Sequence, residues 1–196
     1  MPLNELYLRD LNRSELHALR SYKSASDAEH GSACFDLNRD LRNGLKRDEL
    51  PSSLDEIADG LDSVLARCPR LTEEVCVYRA IGWAWHLPLY DFGKCFRSFE
   101  YWSSCVSRDG IEAFLKAPSK CARGAVLTLH LPIGFPAYNM ETLEGFGGHE
   151  AELLLPRAVL WKVRSARILK PEEVPLFVRP DFYQVIDAEL DAQPWP

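Results

Sequence analysis

GGHEAELLLPRAVLWKV, Gly147 to Val163, sets two glutamates, Glu150 and Glu152, between a glycine-rich loop and two apolar runs parted by a proline. Both runs, AELLLP and AVLWKVRSARIL, have the length and the β-branched or aromatic content of strands. Residues i and i+2 of a strand share a face, so the spacing predicts that both carboxylates project together while Ala151 turns away. Like charges at that spacing repel, and most such pairs sit on solvated surface. Here the preceding EGFGGH is a glycine loop and the following LLLP runs straight into core, which places the carboxylates as catalytic groups are placed.

Working outward, the same texture begins at Glu74, with VCVYRAI, FEYWSSCV, GAVLTLHLP and FYQVIDAEL as further strands between Gly and Pro punctuation. One short helix, SRDGIEAFLK, interrupts them, with Ser107 as its cap. The first third reads as helical. Ser14 is placed to cap a helix carrying Leu16, Leu19 and Tyr22. CFDLNRDLRNG sets Phe35, Leu37 and Leu41 ahead of a stop at Gly44. SSLDEIADGLDSVLARCP begins with a capping box from Ser53 to Glu56 and spaces Leu54, Ile57, Leu61, Val64 and Leu65 helically, with Gly60 as an interior blemish. The expectation is one α+β domain over 1–196, mainly helical to 70 and mainly β from 71, the helices packed on a two-sheet mixed β core.

A chain of 196 residues with 46% hydrophobic and 27% charged residues suits one soluble domain. Its net charge of −6 argues against a nucleic acid partner, and no apolar run approaches the ~18–20 residues of a membrane span. Cys34, Cys68, Cys76, Cys95, Cys105 and Cys121 lack close C-x-x-C pairing and read as free thiols of a reducing compartment. MPLNELYLRDLNRSEL carries charges throughout, without the apolar centre of a cleavable signal peptide. The five histidines show no ligand spacing, so no metal is expected, and neither a P-loop nor G-x-G-x-x-G occurs.

Arg79 closes a β-branched run on the side of Val75 and Val77, where an arginine needs either an acidic partner or a bound phosphate. Ser103 and Ser104 stand in mid-strand after two aromatics, as hydroxyls do where a hydrogen bond reaches another group. No G-x-S-x-G surrounds them, which removes a hydrolase nucleophile.

In order along the chain, these features resemble the R-S-E class of mono-ADP-ribosyltransferases of the bacterial exoenzyme and toxin type. Tyr22, Phe35, Asn38, Leu41 and Arg42 resemble that family's Y…(Y/F)xxN..LR.g segment, and VYRAIG its arginine motif at Arg79. Ser103, Ser104 and Cys105 stand in the places of its S-T-S strand, and FGGHEAELLLP is similar to its E-x-E motif. The resemblance implies NAD as co-substrate, with Arg79 on the pyrophosphate, Glu152 stabilising an oxocarbenium-like ribose, Ser103 orienting Glu152, and Glu150 deprotonating the guanidinium of a target arginine. It implies contacts to the nucleotide from Tyr22, Asn38, Arg42 and Phe146, with Phe146 or Tyr138 touching the target protein. It points to an effector or toxin acting in the reducing cytosol of another cell. NAD glycohydrolysis, or a non-catalytic module binding a nucleotide or protein partner, are the alternatives.

Overall fold

The structure, a computed structural model, describes residues 6–23, 33–81, 93–111, 124–143, 151–168 and 183–190. Three helices open it: α1 (Arg13–Lys23), α2 (Ala33–Arg42) and α3 (Ser52–Arg67). α1 is capped by Asn12 rather than Ser14. Asn12 Oδ1 accepts from the Glu15 N–H and Glu15 Oε2 from the Asn12 N–H, both at 2.9 Å, a reciprocal box that a carboxylate three residues past the cap makes possible. α3 starts directly after Pro51 with no side-chain cap, so the Ser53–Glu56 box does not form.

In α2, Leu37 and Leu41 are buried but Phe35 is 63% exposed. It lies two residues from Leu37, on the far side of a 3.6-residue turn. Gly60 is no blemish. A Cβ there would overlap that of Ala18 and lie 3.0 Å from the Ser14 carbonyl oxygen, so the glycine is what lets α1 and α3 cross closely.

Eight strands follow: β1 (Val75–Ile81), β2 (Cys95–Ser98), β3 (Trp102–Cys105), β4 (Gly124–Leu131), β5 (Tyr138–Asn139), β6 (Glu152–Leu155), β7 (Val159–Ile168) and β8 (Tyr183–Leu190). Their order is β2-β7-β8-β4-β1-β3-β6-β5, antiparallel except for the parallel β4–β8 pair. β2 and β5 were not expected from sequence, being only four and two residues long. Of the expected helix after β3, Ser107 Oγ accepts from the Gly110 N–H at 3.3 Å above a single turn, Asp109–Ile111; the remainder lies outside the described residues.

β3 and β7 stand four places apart, roughly 19 Å along a flat sheet, yet Trp102 and Trp161 stack with centroids 5.6 Å apart at 11°. The sheet therefore folds over, and its two halves face each other across a core of Val77, Trp102, Leu127, Leu153, Leu155 and Trp161. A second core joins the helices to the outer face of β6, with Leu19, Tyr22, Leu37, Leu61, Tyr101, Tyr138 and Leu154.

The second core is polar-satisfied as well as packed. Tyr22 Oη donates to the Tyr101 carbonyl at 3.1 Å and accepts from Asn38 Nδ2 at 2.8 Å, while Asn38 Oδ1 accepts from the Tyr101 N–H at 3.1 Å. The Tyr101 hydroxyl donates to Asp62 Oδ1 at 2.5 Å, and burial followed by that carboxylate's charge raises its pKa. Asp62 in turn pairs with Arg47 at 3.1 Å and Arg157 at 2.8 Å. Tyr101 thereby pins the segment entering β3 to all three helices.

Candidate active site

β1, β3 and β6 are adjacent, and Cys105 of β3 stands opposite Tyr78 on one side and Glu152 on the other. This register brings Arg79, Ser103 and Glu152, far apart in the chain, onto neighbouring strands. Glu152 shares its face of β6 with Leu154 and so turns toward the helices. The half-buried thiol of Cys34 on α2 is the common neighbour. Its pKa is raised by burial, against a lowering hydrogen bond with Tyr22 and the nearby charges of Arg79 and Arg42, with Glu152 raising it further. Arg79, Glu152, Arg42 and Tyr22 therefore all lie within electrostatic reach of one side chain.

Arg79 is held without a carboxylate partner among the described residues. Its Nη1 donates to the Ser103 carbonyl at 2.6 Å and its guanidinium lies 5.3 Å from the centroid of the Trp102 ring. Its Nε is buried with no hydrogen-bond partner among the described residues, as are Trp102 Nε1 and Ser104 Oγ, two residues apart on β3. Unpaired buried donors are costly, and a cation lacking an anion is costlier still. This guanidinium fits an anionic group such as a pyrophosphate, and the alternative of a structural ion pair is not what the described residues show.

Glu152, with its side chain 12% exposed, binds a cation that sequence reasoning did not single out. Lys23 Nζ donates to Glu152 Oε2 at 2.9 Å and lies 3.4 Å from Glu141 Oε1. Burial lowers the Lys23 pKa, and Glu152 and then Glu141 more than offset this, leaving it above its ordinary value. Glu141 sits on the single turn Met140–Thr142, which Asn139 caps by accepting from the Glu141 N–H at 3.0 Å. Glu141 Oε1 also accepts a long bond, 3.5 Å, from the Glu152 N–H. The only sequence signal for Lys23 was its place beside Tyr22 in SYKSASD.

Several expected roles are placed differently. The hydrogen bond of Ser103 runs through its carbonyl to Arg79, and the described partner of the Glu152 carboxylate is Lys23. The hydrogen-bonding groups of Tyr22 and Asn38 are spent on each other and on Tyr101. Arg42, at the end of α2, lies 3.9 Å from Glu100. Tyr138 is 1% exposed in the helix-side core, so it presents no aromatic to a target protein. Ala151, just before β6, adopts a left-handed backbone, φ 46°, and the strand begins at Glu152. Glu150 and Phe146 themselves lie outside the described residues. Among the described residues no group of side chains is arranged to hold a metal, and no helix is long and apolar enough to cross a membrane. Among the described cysteines, Cys34, Cys68 and Cys76 are free thiols.

No protein-family model and no curated protein matches the sequence. Solved structures match the fold. The ADP-ribosylating toxin BECa of a binary enterotoxin of C. perfringens, solved with NADH, superposes with TM-score 0.70 at 23% identity over 94% of this chain and 45% of its own. The chain thus spans under half the length of that toxin. The C3 exoenzyme of Clostridium limosum superposes with TM-score 0.70 at 18% identity, covering 93% of this chain and 87% of that one. Exoenzyme S from Pseudomonas aeruginosa, solved with carba-NAD, gives 0.62 at 14%, covering 90% and 74%. The fold is that of the bacterial ADP-ribosyltransferase toxins.

Proposed function

We propose that the chain transfers ADP-ribose from NAD to an arginine side chain of a target protein, with release of nicotinamide, and that it works as an effector or toxin in the reducing cytosol of another cell. The observation that carries this reading is the placement, on the two strands that flank β3, of a carboxylate held beside a cation, Glu152 on β6, and an arginine with a buried, unpaired Nε and no carboxylate partner among the described residues, Arg79 on β1. The fold shared with proteins solved with NADH or carba-NAD supports it. Bound NAD supplies the ADP-ribosyl group and its leaving group.

Arg79 would hold the pyrophosphate with charge-assisted hydrogen bonds in a fork that lysine lacks. Glu152 would stabilise the positive charge that develops at the ribose and accept from its hydroxyl. Glu150, in the first place of E-x-E, supports arginine as acceptor by taking the guanidinium proton. The free thiols of Cys34, Cys68 and Cys76 are consistent with a reducing site of action.

Incubation with labelled NAD and a cell lysate tests the proposal. Labelled protein bands bearing ADP-ribose on arginine by mass spectrometry support it. Free ADP-ribose alone would make the protein a glycohydrolase, and neither product would make it a binding module.

A further inference from the structure

Lys23 is the last residue of α1 and the sequence motifs assign it nothing, yet its ammonium is the direct partner of the carboxylate on which the proposed reaction depends. Its side chain is 10% exposed and that of Glu152 12%, so neither solvent nor salt screens the pair much. The 2.9 Å separation is that of a charge-assisted hydrogen bond. The bond occupies Oε2, and Oε1 has no hydrogen-bond partner among the described residues.

The remaining groups around Glu152 explain why a cation is placed there. Glu141 approaches from the turn after β5 and takes both the Lys23 ammonium and the Glu152 N–H. Cys105 stands directly opposite on β3, and the thiol of Cys34 on α2 lies within electrostatic reach. Apart from Lys23, these neighbours offer a second carboxylate and two thiols. Two carboxylates sharing a site repel each other. The Lys23 ammonium, in reach of both, offsets that repulsion.

We propose that Lys23 is a positioning residue for NAD cleavage: it holds Glu152 through Oε2, offsets the repulsion from Glu141, and leaves Oε1 directed to the ribose hydroxyl. The proposal rests on the reading of Glu152 as the carboxylate at NAD. It also makes α1 part of the catalytic apparatus, joined to the strands through one ion pair rather than through packing alone.

The test compares Lys23→Met and Lys23→Arg with the wild-type protein in NAD cleavage, after circular dichroism has shown all three folded. Lys23→Met lowers kcat on the order of 100-fold while KM for NAD moves less than about threefold. Lys23→Arg recovers a large part of kcat, because a guanidinium can hold the same oxygen. A measurement needing no NAD accompanies them. In wild-type protein labelled at the lysine ε-carbon, the Lys23 signal titrates at higher pH than in Glu152→Gln, since Glu152 is the largest influence raising it. Unchanged kcat in Lys23→Met, a loss confined to KM, no recovery in Lys23→Arg, or a Lys23 titration indifferent to Glu152→Gln overturns the proposal. A wild-type protein that cleaves no NAD fells the enzyme reading and this proposal together. NAD cleavage that is lost in Glu152→Gln but kept in Lys23→Met fells this proposal alone.

Discussion

Two arginine-bearing regions of this molecule are built to opposite rules. Around Asp62, Arg47 and Arg157 meet carboxylates, and Tyr22, Asn38 and Tyr101 close a ring in which each polar group is answered. Around Arg79, by contrast, no described carboxylate approaches, and three buried polar atoms, Arg79 Nε, Trp102 Nε1 and Ser104 Oγ, have no partner among the described residues. Folding tolerates such orphans sparingly, because each costs the desolvation of its group. The first region is a fastening between helices and sheet, whereas the second is left incomplete in a way that a ligand can complete. The contrast also separates what substitution will do in each place: stability in the first, activity and binding in the second.

The largest effect belongs to the second region. Glu152→Gln should cut NAD cleavage and transfer by roughly 1,000-fold, the scale of losing a principal charge stabiliser. The protein should stay folded, because Lys23 keeps Glu141 as a partner. Retained turnover in a discontinuous nicotinamide-release assay would remove Glu152 from its role and blur the contrast.

Next comes the fastening. Tyr101→Phe deletes the hydroxyl that bonds Asp62 and leaves the site side chains in place, so it should cost about 1–3 kcal/mol in urea unfolding with kcat preserved in the remaining folded protein. A variant that lost kcat without losing stability would mean the two regions are not separable.

Arg79→Lys should weaken NAD binding about tenfold by calorimetry, since lysine reproduces the charge but not the fork. Unchanged affinity would return Arg79 to a structural role on the Ser103 carbonyl.

The smallest effect is one of pH and lies at the other end of α1. Glu15 is 1% exposed. Burial alone would raise its pKa, but hydrogen bonds from Ser63, Asn12 and Arg67 bring it below the ordinary carboxylate value. A carboxylate with a depressed folded pKa contributes stability that is fully present above its unfolded value, near 4.5, and is lost as pH falls through the folded value. Thermal stability should therefore fall on acidification below about pH 4.5, and Glu15→Gln should flatten that limb; parallel acid limbs in both proteins would contradict it.

Much of this was legible along the chain. Local apolar periodicity marked the three helices and six of the eight strands, and β1 occupies the VCVYRAI run residue for residue. Arg79 was marked by a charge aligned with core positions. The errors have local causes. Asn12 displaced Ser14 because Glu15 could answer it, and Phe35, set beside Leu37 and Leu41 in the sequence, is turned outward by its angle on α2. Gly60 looked like a defect because its justification, Ala18 and Ser14 of α1, lies over forty residues away.

The sequence by itself determined the helical first third, the strand-rich remainder and the residue types of the proposed carboxylate and arginine site, because hydrophobic spacing and side-chain chemistry act over a few residues. Only the tertiary structure decided that Lys23 holds Glu152, that Tyr22 and Asn38 are spent on Tyr101, and that Arg79 keeps an unpaired nitrogen. Those facts depend on which strand lies beside which and on where a helix crosses the sheet. Such pairings are settled by the burial of whole faces, and no short stretch of sequence carries them.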